Sequence, residues 1–81
     1  MNRVGFSQLH TRLIVHLAER IRSGEITERG LSRLTGVSQP HIHNVLKGKR
    51  LLSLACADGI LRRLHMDVFD LFEPDELTGR R

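Results

Sequence analysis

The sequence predicts a single all-helical domain of five helices, on three observations. Apolar residues recur at spacings of three and four, and no stretch shows the β-branched alternation of a strand. Polar N-cap residues follow apolar ones just ahead of several helical stripes, the order of a hydrophobic staple. Glycines stand where stripes end, at positions suited to the left-handed conformation.

Taken in order, Ser7 is placed to cap a first helix whose inner stripe is Leu9, Leu13, Ile14, Leu17, Ala18 and Ile21, ended by Gly24. Ile26-Thr27, Val37-Ser38 and Met66-Asp67 then repeat one device: a cap preceded by an apolar residue that reaches Leu31, Ile42 and Leu71 respectively. Ser53 after Leu52 is a fourth cap. These signals predict helices over 28–35, 39–47, 54–64 and 68–72. The domain is expected to occupy residues 1–73, with 74–81 a polar, disordered tail. Asp58-Gly59 inside the fourth helix is unusual, and close approach to a neighbouring helix or to a second subunit would account for it.

The lone cysteine, Cys56, excludes an intrachain disulfide and a cysteine-based zinc site, and reads as inert packing. No apolar run approaches the roughly 20 residues of a membrane span. No signal-peptide-like segment opens the chain. A soluble cytoplasmic protein is the expectation. The net charge of +4 hides a segregation. From Arg29 to Ala57 there is no acid, while Arg29, Arg33, Lys47, Lys49 and Arg50 are basic; Asp67, Asp70, Glu73, Asp75 and Glu76 follow with no base among them. Such a segment suits a polyanion, although charge alone leaves a solvated basic face equally open.

The informative connection is Thr35-Gly36-Val37-Ser38. Gly36 supplies a positive φ, Val37 plugs the corner and Ser38 starts the next helix. Leu31 and Leu34 are expected to face Ile42 and Val45 across it. With Ile42 and Val45 inward, Gln39, His43 and Lys47 share an outward strip flanked by Pro40 and Asn44. Glutamine and asparagine can pair bidentately with adenine edges, and histidine can donate to or accept from a base or phosphate. The helix N-terminus favours a phosphate, and Lys47-Gly48-Lys49-Arg50 forms a basic corner after it.

The run Leu31-Ser32-Arg33-Leu34-Thr35-Gly36-Val37-Ser38-Gln39-Pro40-His41-Ile42-His43-Asn44-Val45-Leu46-Lys47-Gly48-Lys49-Arg50 resembles the helix-turn-helix of the Cro/phage-repressor (XRE-type) family. Leu61 and Leu64 through Phe72 resemble that family's last two helices. The resemblance covers about residues 7–72. It implies a compact five-helix, lambda-repressor-like DNA-binding domain, a repressor-like regulator of bacterial or phage type binding double-stranded DNA. Its recognition helix, 38–47, would enter the major groove, often as a dimer. Carried over by position, Ser38, Gln39, His43 and Asn44 read bases, while His41, Lys47, Lys49 and Arg50 hold phosphates.

Several residues depart from the family pattern. Ser32 stands where alanine is preferred, and Glu28 where a glutamine touches phosphate. Leu46 replaces a glutamate that pairs with an arginine late in helix one, so Arg20 must point elsewhere. His65 replaces a helix-ending glycine. Glu28 and the acidic segment around helix five favour an alternative: a protein-interaction module, such as an antitoxin or adaptor, that keeps the fold.

No metal, cofactor, small-molecule substrate or enzymatic activity is expected. His41 and His43 diverge by about 200° on a helix, His10 and His16 lie on different faces, and neither a phosphate loop nor a nucleophile elbow is present. Phe69, Leu71 and Phe72 exceed what one short helix can bury, which leaves a homodimer open.

Overall fold

The computed structural model describes residues 3–77. They form α1 (Phe6–Arg22), α2 (Glu28–Thr35), α3 (Gln39–Leu46), α4 (Leu54–Arg63), a 3-10 helix η1 (Val68–Leu71) and a last short turn α5 (Pro74–Leu77). Among the described residues the fold is all-helical, with no strand.

All four sequence-marked staple caps form. Thr27 accepts from the Gly30 N–H, Ser38 from His41, Ser53 from Cys56 and Asp67 from Phe69, each satisfying an otherwise orphaned donor. The cap of α1 differs from expectation. The helix starts at Phe6 with Gly5 as N-cap, and the Gly5 N–H donates to Gln8 Oε1 at 3.0 Å. Gln8 reaches back to a donor that Ser7, already inside the helix, is not placed to cap.

Helices α1, α3 and α4 end alike. The N–H groups of Gly24, Gly48 and His65 donate to Ile21, Val45 and Arg62, and those of Glu25, Lys49 and Met66 to Arg20, Asn44 and Leu61. These are the paired bonds of a Schellman turn, which needs a left-handed residue. Gly24 and Gly48 supply it at φ 83° and 79°, and His65 does the same at φ 58°.

Every element except α5 contributes to one aliphatic core: Leu13 and Leu17 from α1, Leu31 from α2, Ile42 and Val45 from α3, Ile60 from α4, Leu71 from η1, and Leu52 from the loop before α4. No polar or charged residue is buried among the described residues. Helix α2 packs on α3 and α4, while α1 packs on α3 and η1. His10 Nε2 also accepts the Leu52 N–H at 3.0 Å, tying α1 to the loop ahead of α4. Leu34 departs from expectation: it is 37% exposed and lies outside the core. In a helix of two turns, the stripe centred on Leu31 turns Leu34 to the solvent edge.

The C-terminal region also differs from the sequence reading. The fifth helix is 3-10 over Val68–Leu71, held by a reciprocal cap in which the Asp67 N–H donates to Asp70 Oδ2. Of the segment expected to be a disordered tail, residues 78–81 lie outside the described ones, whereas Pro74–Leu77 forms α5. Arg12 holds this turn bidentately: Nη1 donates to Glu76 Oε1 at 2.7 Å and Nη2 to Oε2 at 3.0 Å, while Nη1 also meets the Leu71 carbonyl. Glu76 Oε1 accepts the Glu73 N–H in turn. Hydrogen bonding from Arg12, and then from the Glu73 N–H, holds the Glu76 carboxyl down from 4.5 to about 2. Cys56 packs partly buried against the core, and burial pushes its thiol pKa up, away from the reactive thiolate.

Gly59 has no packing reason among the described residues, because a Cβ there would meet nothing within 4 Å. Close approach of a neighbouring helix is therefore not the explanation. Gly59→Ala is expected to stabilise the fold by roughly 0.5–1 kcal/mol through helix propensity and lost unfolded-state freedom. Thermal denaturation should show a rise of a few degrees. The Glu76 contribution has the opposite kind of signature. Its pKa is depressed in the folded state, so its stabilisation is complete above about pH 4.5 and is lost as pH falls through about 2. The difference in melting temperature between the parent and Glu76→Gln should shrink across that window and vanish below it.

Candidate nucleic-acid interface

The outer face of α3 depends on how tightly the corner before it is built. Gly36, at φ 75°, donates its N–H to the Ser32 carbonyl. Two α2 hydroxyls then clamp Val37: Ser32 Oγ donates to its carbonyl, and Thr35 Oγ1 accepts its N–H while donating to the Leu31 carbonyl. Val37 itself packs against the core, as a corner plug should. A connection of three residues whose middle peptide groups are satisfied by the preceding helix leaves α3 little freedom to swing. The sequence marks the glycine and the plug but not this clamp. Ser32 has more to do than be small, since an alanine there would leave the Val37 carbonyl without its donor.

With Ile42 and Val45 buried, α3 leaves Gln39, Pro40, His43 and Lys47 exposed, with Asn44 partly exposed beside them. Gln39, Pro40, His43 and Asn44 line one open cleft, and its fifth lining residue is Glu28 from the start of α2. Three of the four residues expected to read bases, Gln39, His43 and Asn44, thus converge, whereas Ser38 stands at the helix edge with its hydroxyl accepting from the His41 N–H. At the other end, Lys47, Lys49 and Arg50 are exposed around the left-handed Gly48, and none forms an ion pair among the described residues.

His41 is placed differently from the other candidate phosphate ligands. It is partly buried, and its Nε2 is enclosed without a hydrogen-bond partner. A contact from that nitrogen to a phosphate requires the ring to turn outwards.

Glu28 is the acid that the cleft holds. Its Oε1 lies 3.4 Å from His43 Nδ1, with side-chain exposures of 31% and 52% respectively. Its position near the N-terminus of α2 suits a carboxylate, because free N–H groups and the helix dipole stabilise negative charge there. Sequence reading flags Glu28 as an obstacle to phosphate but not as the neighbour of His43, a pairing across two helices that no local spacing encodes. Arg20 binds within its own end of α1 and the loop after it: its Nε donates to His16 Nε2 at 2.8 Å and its Nη1 pairs with Glu25 at 2.9 Å. Leu46 packs against the core instead.

Among the described residues no His, Cys, Asp or Glu cluster has the makings of a metal site, and no helix is long and apolar enough to cross a membrane. Ser32→Ala should cost about 1 kcal/mol, the typical worth of a side-chain hydrogen bond plus a partly buried orphan carbonyl. Urea denaturation would read the loss, and Thr35→Val should add to it. Comparison of the chain with family models, curated proteins and solved structures finds no match.

Proposed function

We propose that this chain is a sequence-specific double-stranded DNA-binding domain, a repressor-like regulator whose α2–α3 unit acts as a helix-turn-helix of the Cro/phage-repressor type. The observation that carries the reading is the exposed face of α3: amide and imidazole side chains lie along one side of a helix whose other side is buried, and an unpaired basic corner follows it. A helix with its side chains is about 10–12 Å across, and the major groove is about 12 Å wide. Gln39, His43 and Asn44 would read base edges from there, with Ser38 at the N-terminal edge. Lys47, Lys49 and Arg50 would neutralise phosphates, with His41 joining them only after its ring turns. The protein is read as non-enzymatic and cytoplasmic, and it needs no cofactor for this role.

A protein-interaction module is the second reading. It is favoured by Glu28 in the cleft and by apolar side chains left in solvent, among them Leu51 at 77%, Leu54 at 68% and Phe69 at 60% exposure. The Phe69 and Phe72 rings lie 6.0 Å apart, and this pair could equally serve a second copy of the chain.

Selection of bound sites from random duplex DNA tests both readings. DNA binding predicts an enriched consensus, palindromic if the domain acts as a dimer. Gln39→Ala should cost about 1–3 kcal/mol on that site and relax preference at one position. Lys49→Ala should weaken all sequences alike and reduce the log–log salt slope by about 1. Absence of enrichment, together with partner binding insensitive to salt, would favour the interaction module.

A further inference from the structure

We propose that Glu28 is a positioning residue for base recognition, holding His43 so that the cleft accepts a base edge carrying an exocyclic amino group, adenine or cytosine, and refuses guanine. The inference rests on the reading of α3 as the recognition helix.

Glu28 lies within ion-pair distance of His43 Nδ1, and because a carboxylate only accepts, its charge favours the imidazole tautomer with the proton on that nitrogen. The contact is Oε1 to Nδ1 at 3.4 Å. In a neutral imidazole with the proton on Nδ1, Nε2 carries the lone pair and becomes an acceptor. His43 is half exposed, so this acceptor is available to the cleft. The second oxygen of the Glu28 carboxylate adds a further acceptor on the same side. Gln39 and Asn44 have amides that can donate or accept, and Pro40 is a rigid wall without a donor. The cleft is therefore rich in acceptors, although it sits in the most basic part of the chain.

Base edges in the major groove differ in the complementary sense. Adenine offers its N6 amino group and cytosine its N4 amino group, whereas guanine offers N7 and O6, both acceptors. Guanine facing Nε2 and the Glu28 carboxylate would set lone pair against lone pair. The same negative charge also weakens attraction to the phosphate backbone, so Glu28 exchanges general affinity for selectivity.

The test is site selection from random duplexes with the parent, Glu28→Gln, His43→Ala and the double variant, each checked for an unchanged melting curve. The parent should show one position, identified by its loss in His43→Ala, where adenine or cytosine exceeds guanine by about tenfold. Glu28→Gln should bring that ratio to within about twofold, leave the other positions as they were, and raise affinity for every duplex. In the His43→Ala background it should change no base preference. A guanine preference at that position, or a ratio unmoved by Glu28→Gln, overturns the inference and leaves DNA binding standing. No enriched site for the parent overturns both.

Discussion

Helices of eight residues do not persist alone in water, and both α2 and α3 are that length. They exist because Leu31, Ile42 and Val45 are shared with Leu13, Leu17 and Ile60 in one core that contains no buried polar residue. Each fully buried aliphatic side chain contributes about 1.5–3 kcal/mol, so two such contacts outweigh any single cap. The core decides that α2 and α3 form and which faces they hide. It does not by itself fix their mutual angle, because apolar contact is weakly directional.

Direction comes from the chain ends instead. The left-handed residues Gly24, Gly48 and His65 close three helices with the same pair of carbonyl bonds, and Thr27, Ser38, Ser53 and Asp67 open the elements that follow. Loops therefore contain few residues that are not part of a cap. In the corner before α3 even those few are engaged, since both peptide groups of Val37 are bound by Ser32 and Thr35. The outer face of α3 can be exposed and polar because its orientation is set behind it.

The positions of α1 to α4, the four side-chain caps, the left-handed Gly24 and Gly36 and most of the core were legible in the sequence, because each shows in residues a few positions apart. What was hidden lies in contacts between distant elements. The Arg12–Glu76 pair that orders α5, the His10 acceptor for the Leu52 N–H and the Glu28–His43 contact each join separate elements. Leu34 shows the complementary limit. Its spacing from Leu31 fits a buried stripe, yet a two-turn helix that packs chiefly on α3 and α4 leaves Leu34 at the solvent edge. The polar strip of α3 was readable because Ile42 and Val45 fix which side is in. Its one acid was not, since Glu28 arrives from another helix.

Leu46 connects these points. A buried glutamate there, paired to an arginine of α1, would orient α3 by charge, but would require two desolvated groups to find each other. Leu46 contributes apolar contact without that cost, and Arg20 is released to brace the end of α1 through His16 and Glu25. The directional information that the ion pair would have supplied must then come from elsewhere. The hydroxyl clamp of Ser32 and Thr35 on Val37 supplies it, at the opposite end of α3 from Leu46. Ser32 in the turn and Leu46 at the far end of the helix are thus two halves of one arrangement. The anchor of α3 consists of hydrogen bonds in the turn and apolar contact in the core rather than a buried charge, with Glu28 the carboxylate beside its outer face.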